Sequence, residues 1–65
     1  MNRELKALII LKFGSQFEFA RAIREHESIV SKVIRGRKTL TPEAQRLWAK
    51  KLGCSPGSIF KDLEA

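Results

Sequence analysis

Apolar residues recur along the chain at helical spacing, in blocks separated by glycine, proline and short polar stretches. From Asn2 to Phe13, Leu5, Leu8, Ile9 and Lys12 share one face, and Gly14 suits the left-handed residue just past a helix end. Ser15-Gln16-Phe17-Glu18 reads as a capping box, in which the Ser15 hydroxyl meets the third backbone N–H and the Glu18 carboxylate reaches back, so a second helix starts at Gln16. Its apolar positions are Phe17, Ala20 and Ile23, with Phe19 alongside, and it runs to about Arg24, where Arg24-Glu25-His26-Glu27 breaks the pattern into a turn. Ser28 to Arg35 is rich in β-branched residues and would also suit a strand. Periodicity decides for a helix. A strand with Val30 and Ile34 inward also turns Lys32 inward, whereas a helix groups Val30, Val33 and Ile34 and leaves Lys32 on the opposite side.

Gly36 closes that third helix. Thr41-Pro42-Glu43 then supplies an N-cap, a proline at the first helical position and an acid in the first turn, ahead of the stripe Ala44, Leu47, Trp48, Leu52 and a stop at Gly53. Ser55-Pro56 repeats the start signal for a short last helix carrying Ile59, Phe60 and Leu63. Five short helices with tight connections predict one all-α domain over residues 1–65.

Size and composition narrow what such a domain can do. A chain of 65 residues buries only about 60% of its unfolded surface, so a large active-site cleft is not expected. Its hydrophobic content of 43% is enough for a compact core and too high for a disordered tail. Cys54 has no second cysteine to pair with, and one cysteine with one histidine cannot complete a four-ligand zinc site, so no metal and no cofactor are expected. The longest apolar run, Ala7 to Leu11, is far shorter than the roughly 20 residues of a membrane span, and no small-residue cleavage site follows it. A cytoplasmic protein is the expectation. No paired carboxylates, nucleophile–base set or phosphate loop can be assembled, which argues against an enzyme and leaves no catalytic residue to name.

Charge changes the picture. Thirteen Lys and Arg against seven Asp and Glu give +6, which points to a polyanionic partner, nucleic acid ahead of an anionic membrane surface. If helix three buries Val30, Val33 and Ile34, its other face presents Ser28, Lys32 and Arg35, flanked by Glu27 and Ser31, with Arg37 and Lys38 just beyond. Two helices joined by a turn, the second with an exposed polar face, form the layout that sets one helix in the DNA major groove. A solvated charged surface is the plainer reading of the same face.

The ungapped stretch Gln16 to Gly36, QFEFARAIREHESIVSKVIRG, resembles the helix-turn-helix of the Cro/cI-type (XRE-like) bacterial and phage DNA-binding regulators. The resemblance lies in Gln16, the small Ala20 where the two helices cross, the inward Ile23, Val30 and Val33, and the closing Gly36. Downstream, RGRKTLTPEAQRLWAKKLGCSPGSIF is similar to that family's fourth and fifth helices, with a capped helix ending in Leu-Gly-x-Ser. The resemblance implies a lambda-repressor-like fold and a homodimeric regulator, a repressor in the commonest case, that reads a pseudo-palindromic operator in double-stranded DNA at the nucleoid. Carried over by position, Glu27, Ser28 and Lys32 are base contacts, while Gln16, Arg35 and Arg37 are phosphate contacts; Ser31, on the flank of the polar face, and Lys38, in the basic cluster, join the expected phosphate contacts.

Elementary chemistry bears on these roles separately. Lys32 can donate to guanine O6 or N7, Ser28 can donate or accept, and Glu27 can only accept, which suits a cytosine amine. Equally, Glu27 is a first-turn acid that favours the helix dipole by about 0.3–1 kcal/mol. His26, in the turn, either touches phosphate or caps helix three. Cys54 stands where the family commonly has valine and reads as a small buried hydrophobe; Trp48 reads as core.

Three positions depart from the family pattern. Arg24 holds the turn position usually occupied by glycine, Glu25 stands where an apolar residue is usual, and Ile34 replaces a glutamate that pairs with a helix-one arginine, the matching position here being Ile9. An apolar contact between Ile9 and Ile34 is expected in place of that ion pair. Two other classes remain: a protein-interaction module such as an antitoxin or adaptor, docking through the surroundings of helix three or the Ile59, Phe60, Leu63 end, and a cationic amphipathic membrane binder built on helix one.

Overall fold

The computed structural model describes residues 1–60 and folds them into five helices, α1 (Arg3–Phe13), α2 (Gln16–Ile23), α3 (Glu27–Ile34), α4 (Pro42–Leu52) and α5 (Pro56–Ile59), with no strand among the described residues. Leu63, expected on the last helix, lies outside them. The radius of gyration, 10.4 Å, matches the roughly 10 Å of a well-packed chain of this length.

Side-chain caps explain most of the boundaries. The Oγ of Ser15 accepts from the Glu18 N–H at 3.1 Å, and Thr41 Oγ1 accepts from the Ala44 N–H at 3.2 Å. The return arm of the expected capping box is replaced: the Glu18 carboxylate lies 3.7 Å from the Arg21 guanidinium instead. Ser55 occupies the cap position of α5 without a side-chain cap bond, and the Ser58 hydroxyl donates to its carbonyl. At the front of the chain Asn2 sits outside α1 as its cap, so the helix begins one residue later than its apolar pattern suggested. Asn2 Oδ1 accepts from the Leu5 N–H at 3.0 Å, its backbone N–H donates to the Ile34 carbonyl at 2.6 Å, and its side-chain amide donates to the Ile59 carbonyl. One residue thereby ties the start of α1 to the ends of α3 and α5.

All five helices, together with Leu40, contribute to a single core of Leu5, Ile9, Phe19, Ala20, Ile23, Val30, Val33, Ile34, Leu40, Trp48, Ala49, Leu52, Ile59 and Phe60. No described polar or charged residue is buried with them. Aromatic edges organise its centre: the Phe19 ring meets Phe13 at 5.0 Å and Trp48 at 5.1 Å, and Trp48 meets Phe60 at 6.3 Å, all edge-to-face. Ile9 and Ile34 both belong to this core.

Two inward assignments are corrected. On α2 the buried residue is Phe19, while Phe17 is 53% exposed; on α4, Ala49 is buried and Leu47 is largely exposed. Helix α2 packs on both α1 and α3, and Phe19, Ala20 and Ile23 together line the arc facing them. Cys54 is half-buried against the core edge rather than enclosed.

Candidate nucleic-acid interface

Turn chemistry fixes how α3 leaves α2. The Arg24 N–H donates to the Arg21 carbonyl at 3.2 Å and the Glu25 N–H to the Ala20 carbonyl at 2.9 Å, the paired bonds of a Schellman cap. Such a cap needs a left-handed residue, and Arg24 supplies it at φ 59, ψ 44. It is the only non-glycine at positive φ among the described residues. The turn thus keeps the left-handed conformation that glycine would adopt without strain, at a cost of about 1–2 kcal/mol for an L side chain. Arg24→Gly is therefore expected to raise stability by about 0.5–1 kcal/mol, the relief of strain less the extra freedom glycine gives the unfolded chain. A urea titration followed by circular dichroism reads this directly, and a lower midpoint for the variant would contradict it.

The third helix starts at Glu27, with His26 in the cap position and no bond from the imidazole to the helix, which removes the capping role considered for it. Val30, Val33 and Ile34 point into the core. Glu27, Ser28, Lys32 and Arg35 are consequently exposed, while Ser31, at the flank, is half-buried. A second Schellman cap closes α3: the Gly36 N–H donates to the Val33 carbonyl at 3.1 Å and the Arg37 N–H to the Lys32 carbonyl at 2.8 Å, with Gly36 at φ 79. Arg37 is in this way pinned to the last turn of the helix. Lys38 follows on a segment anchored by the buried Leu40, whose carbonyl accepts from Gln45 Nε2 at 3.1 Å.

Lys32, Arg35, Arg37 and Lys38 are all exposed, and none has a carboxylate within ion-pair distance among the described residues. Their charge is uncompensated at short range and open to an external anion. Gln16 is half-buried in the first turn of α2. Two residues outside the sequence-derived set also adjoin this region: Phe17 and Arg21 line a groove of about 340 Å³ with Ala20, Glu25, His26, Glu27 and Ser28. Apolar spacing assigns Phe17 to the core, and nothing in the spacing singles out Arg21.

Among the described residues no cluster of three or more His, Cys, Asp or Glu could hold a metal ion, and no helix is long and apolar enough to cross a membrane. Comparison with protein-family models, curated proteins and solved structures finds no match to this chain.

Proposed function

We propose that this chain is a sequence-specific DNA-binding domain of the lambda-repressor-like, Cro/cI-type helix-turn-helix class, acting as a small transcriptional regulator, most simply a repressor. The observation that carries the reading is the exposed face of α3, in which Glu27, Ser28, Lys32 and Arg35 lie opposite the buried Val30, Val33 and Ile34 and lead through Gly36 into Arg37 and Lys38. Two copies bind a pseudo-palindromic site, each α3 entering one of two successive major grooves on one face of the duplex. Glu27, Ser28 and Lys32 read base edges; Gln16, Ser31, Arg35, Arg37 and Lys38 hold the backbone.

Burial bears on two of the alternative surfaces: Ile59 and Phe60 are buried, and Leu5 and Ile9 of α1 are enclosed in the core. Docking of a protein through the surroundings of α3 is separated from DNA binding by salt, since an apolar contact survives about 0.3 M salt and phosphate binding does not.

Selection from random duplexes, followed by affinity measurements across a salt series, tests the proposal. With three to four phosphate contacts per subunit, the log–log salt slope of the dimer is expected near about −6. A slope near zero removes DNA as the partner. Lys32→Ala is expected to weaken the selected site by about 1–3 kcal/mol and relax preference at one or two base pairs per half-site. Arg37→Ala should weaken all duplexes alike and flatten the slope by about one unit per subunit. Should Arg37→Ala alter base preference while Lys32→Ala leaves it intact, α3 is docked wrongly.

A further inference from the structure

Of the large apolar side chains exposed among the described residues, Ile10 and Leu11 lie on α1, Leu47 on α4 and Met1 at the terminus; only Phe17 stands beside the first turn of α3. Its ring is propped on the outer surface of α2. The Arg21 guanidinium sits 5.9 Å from the ring centroid and is itself 3.7 Å from Glu18, so a carboxylate, a cation and an aromatic face form one chain along the helix. On its groove side, Phe17 shares a concavity of about 340 Å³ with Glu27 and Ser28. Glu27 has no ion-pair partner among the described residues.

A groove with an apolar wall and an acceptor-only carboxylate selects for a particular chemistry. The one apolar group that a base edge offers in the major groove is the 5-methyl of a pyrimidine; the one base whose major-groove hydrogen-bonding group is a donor alone is cytosine, through its N4 amine. We propose, building on the helix-turn-helix reading above, that Phe17 is a specificity-determining residue whose ring packs against a pyrimidine 5-methyl in each half-site, beside the base approached by Glu27. Thymine and 5-methylcytosine carry the same methyl at the same place in the groove, and 5-methylcytosine adds the amine that Glu27 can accept from. The occupant is part of the duplex rather than a protein, because the groove opens beside Ser28 on the face of α3 that continues into the exposed Lys32 and Arg35, cations with no carboxylate within ion-pair distance among the described residues.

The test uses the full chain and its selected duplex. Thymines of the site are replaced one at a time by deoxyuridine, which lacks only the methyl, and cytosines one at a time by 5-methylcytosine. The wild-type protein is expected to bind about fourfold more weakly when one particular thymine loses its methyl, or about fourfold more tightly when one particular cytosine gains it, the factor given by burying a single methyl group. The first response identifies thymine as the source and the second identifies methylated cytosine. Phe17→Ala should abolish that discrimination, with a circular dichroism spectrum and melting midpoint close to those of the wild type showing that the variant is folded. A flat response at every position, or a Phe17→Ala variant that still distinguishes the methylated base, overturns the assignment and leaves Phe17 free for a protein partner. Failure to select any duplex overturns the helix-turn-helix reading and this assignment with it, whereas a flat methyl scan on a selected site removes only the Phe17 contact.

Discussion

Phe19→Ala is expected to cost about 3–5 kcal/mol, the usual range for deleting a buried aromatic ring. Phe19 has no solvent exposure and its ring edges meet both Phe13 and Trp48, so its loss empties the space where α1, α2 and α4 converge. Smaller neighbours cannot collapse into that space without breaking the Trp48 to Phe60 contact as well. A domain of this length has a total stability of only about 3–10 kcal/mol at typical per-residue values, so the variant should be largely unfolded at 37 °C. Thermal melting by far-ultraviolet circular dichroism measures it. A loss below about 1 kcal/mol would mean that Phe19 is not the centre of the core, and Phe17→Ala, expected to be nearly neutral for stability, is the matching control.

Ile34→Glu should be still more damaging than Ile34→Ala, which is expected to cost about 2–5 kcal/mol as a cavity. Ile34 is 2% exposed and faces a core with no buried polar or charged residue, so a glutamate there would lose its hydration and find no cation. Its carboxyl would ionise less readily folded than unfolded, where the usual value is about 4.3. The sign follows: the folded state holds the proton longer, so the variant loses stability as pH rises above about 4.3 and is closest to the wild type in acid. Adding Ile9→Arg places a cation in the same core from α1, and the double variant should recover part of the loss at pH 7. A single Ile34→Glu variant as stable as the wild type would show that the inward face of α3 has been misassigned.

Much of this architecture was legible in the residues because the helix ends carry their own chemistry. Ser15 and Thr41 bond the third backbone N–H of the helices they open, and Gly36 and Gly53 adopt the left-handed conformation that closes α3 and α4. The outward face of α3 followed from geometry once Val30, Val33 and Ile34 were grouped, since a helix with three inward residues at that spacing has its other side settled. What stayed hidden depends on neighbours. Phe17 and Phe19 are equally apolar, and only the packing of α2 against both α1 and α3 selects Phe19. Leu47 outweighs Ala49 on any hydrophobicity scale, yet Ala49 is the residue enclosed on α4. A small buried side chain leaves little trace in an apolar pattern. The tertiary bonds of Asn2 were equally invisible, because capping is written in local sequence and the carbonyls of Ile34 and Ile59 are distant from it along the chain.

Those bonds turn an open string of helices into a closed loop. Neighbouring helices along the chain meet first and cheaply, α1 with α2 and α2 with α3, whereas the contact of Asn2 with Ile59 joins residues 57 apart and must wait until nearly the whole chain is ordered. The clasp thus closes the longest loop in the chain, and it does so beside Leu5, Ile59 and Phe60, which are buried in the common core. The seam of this small domain lies where its two ends meet, away from the helix pair that carries the basic face.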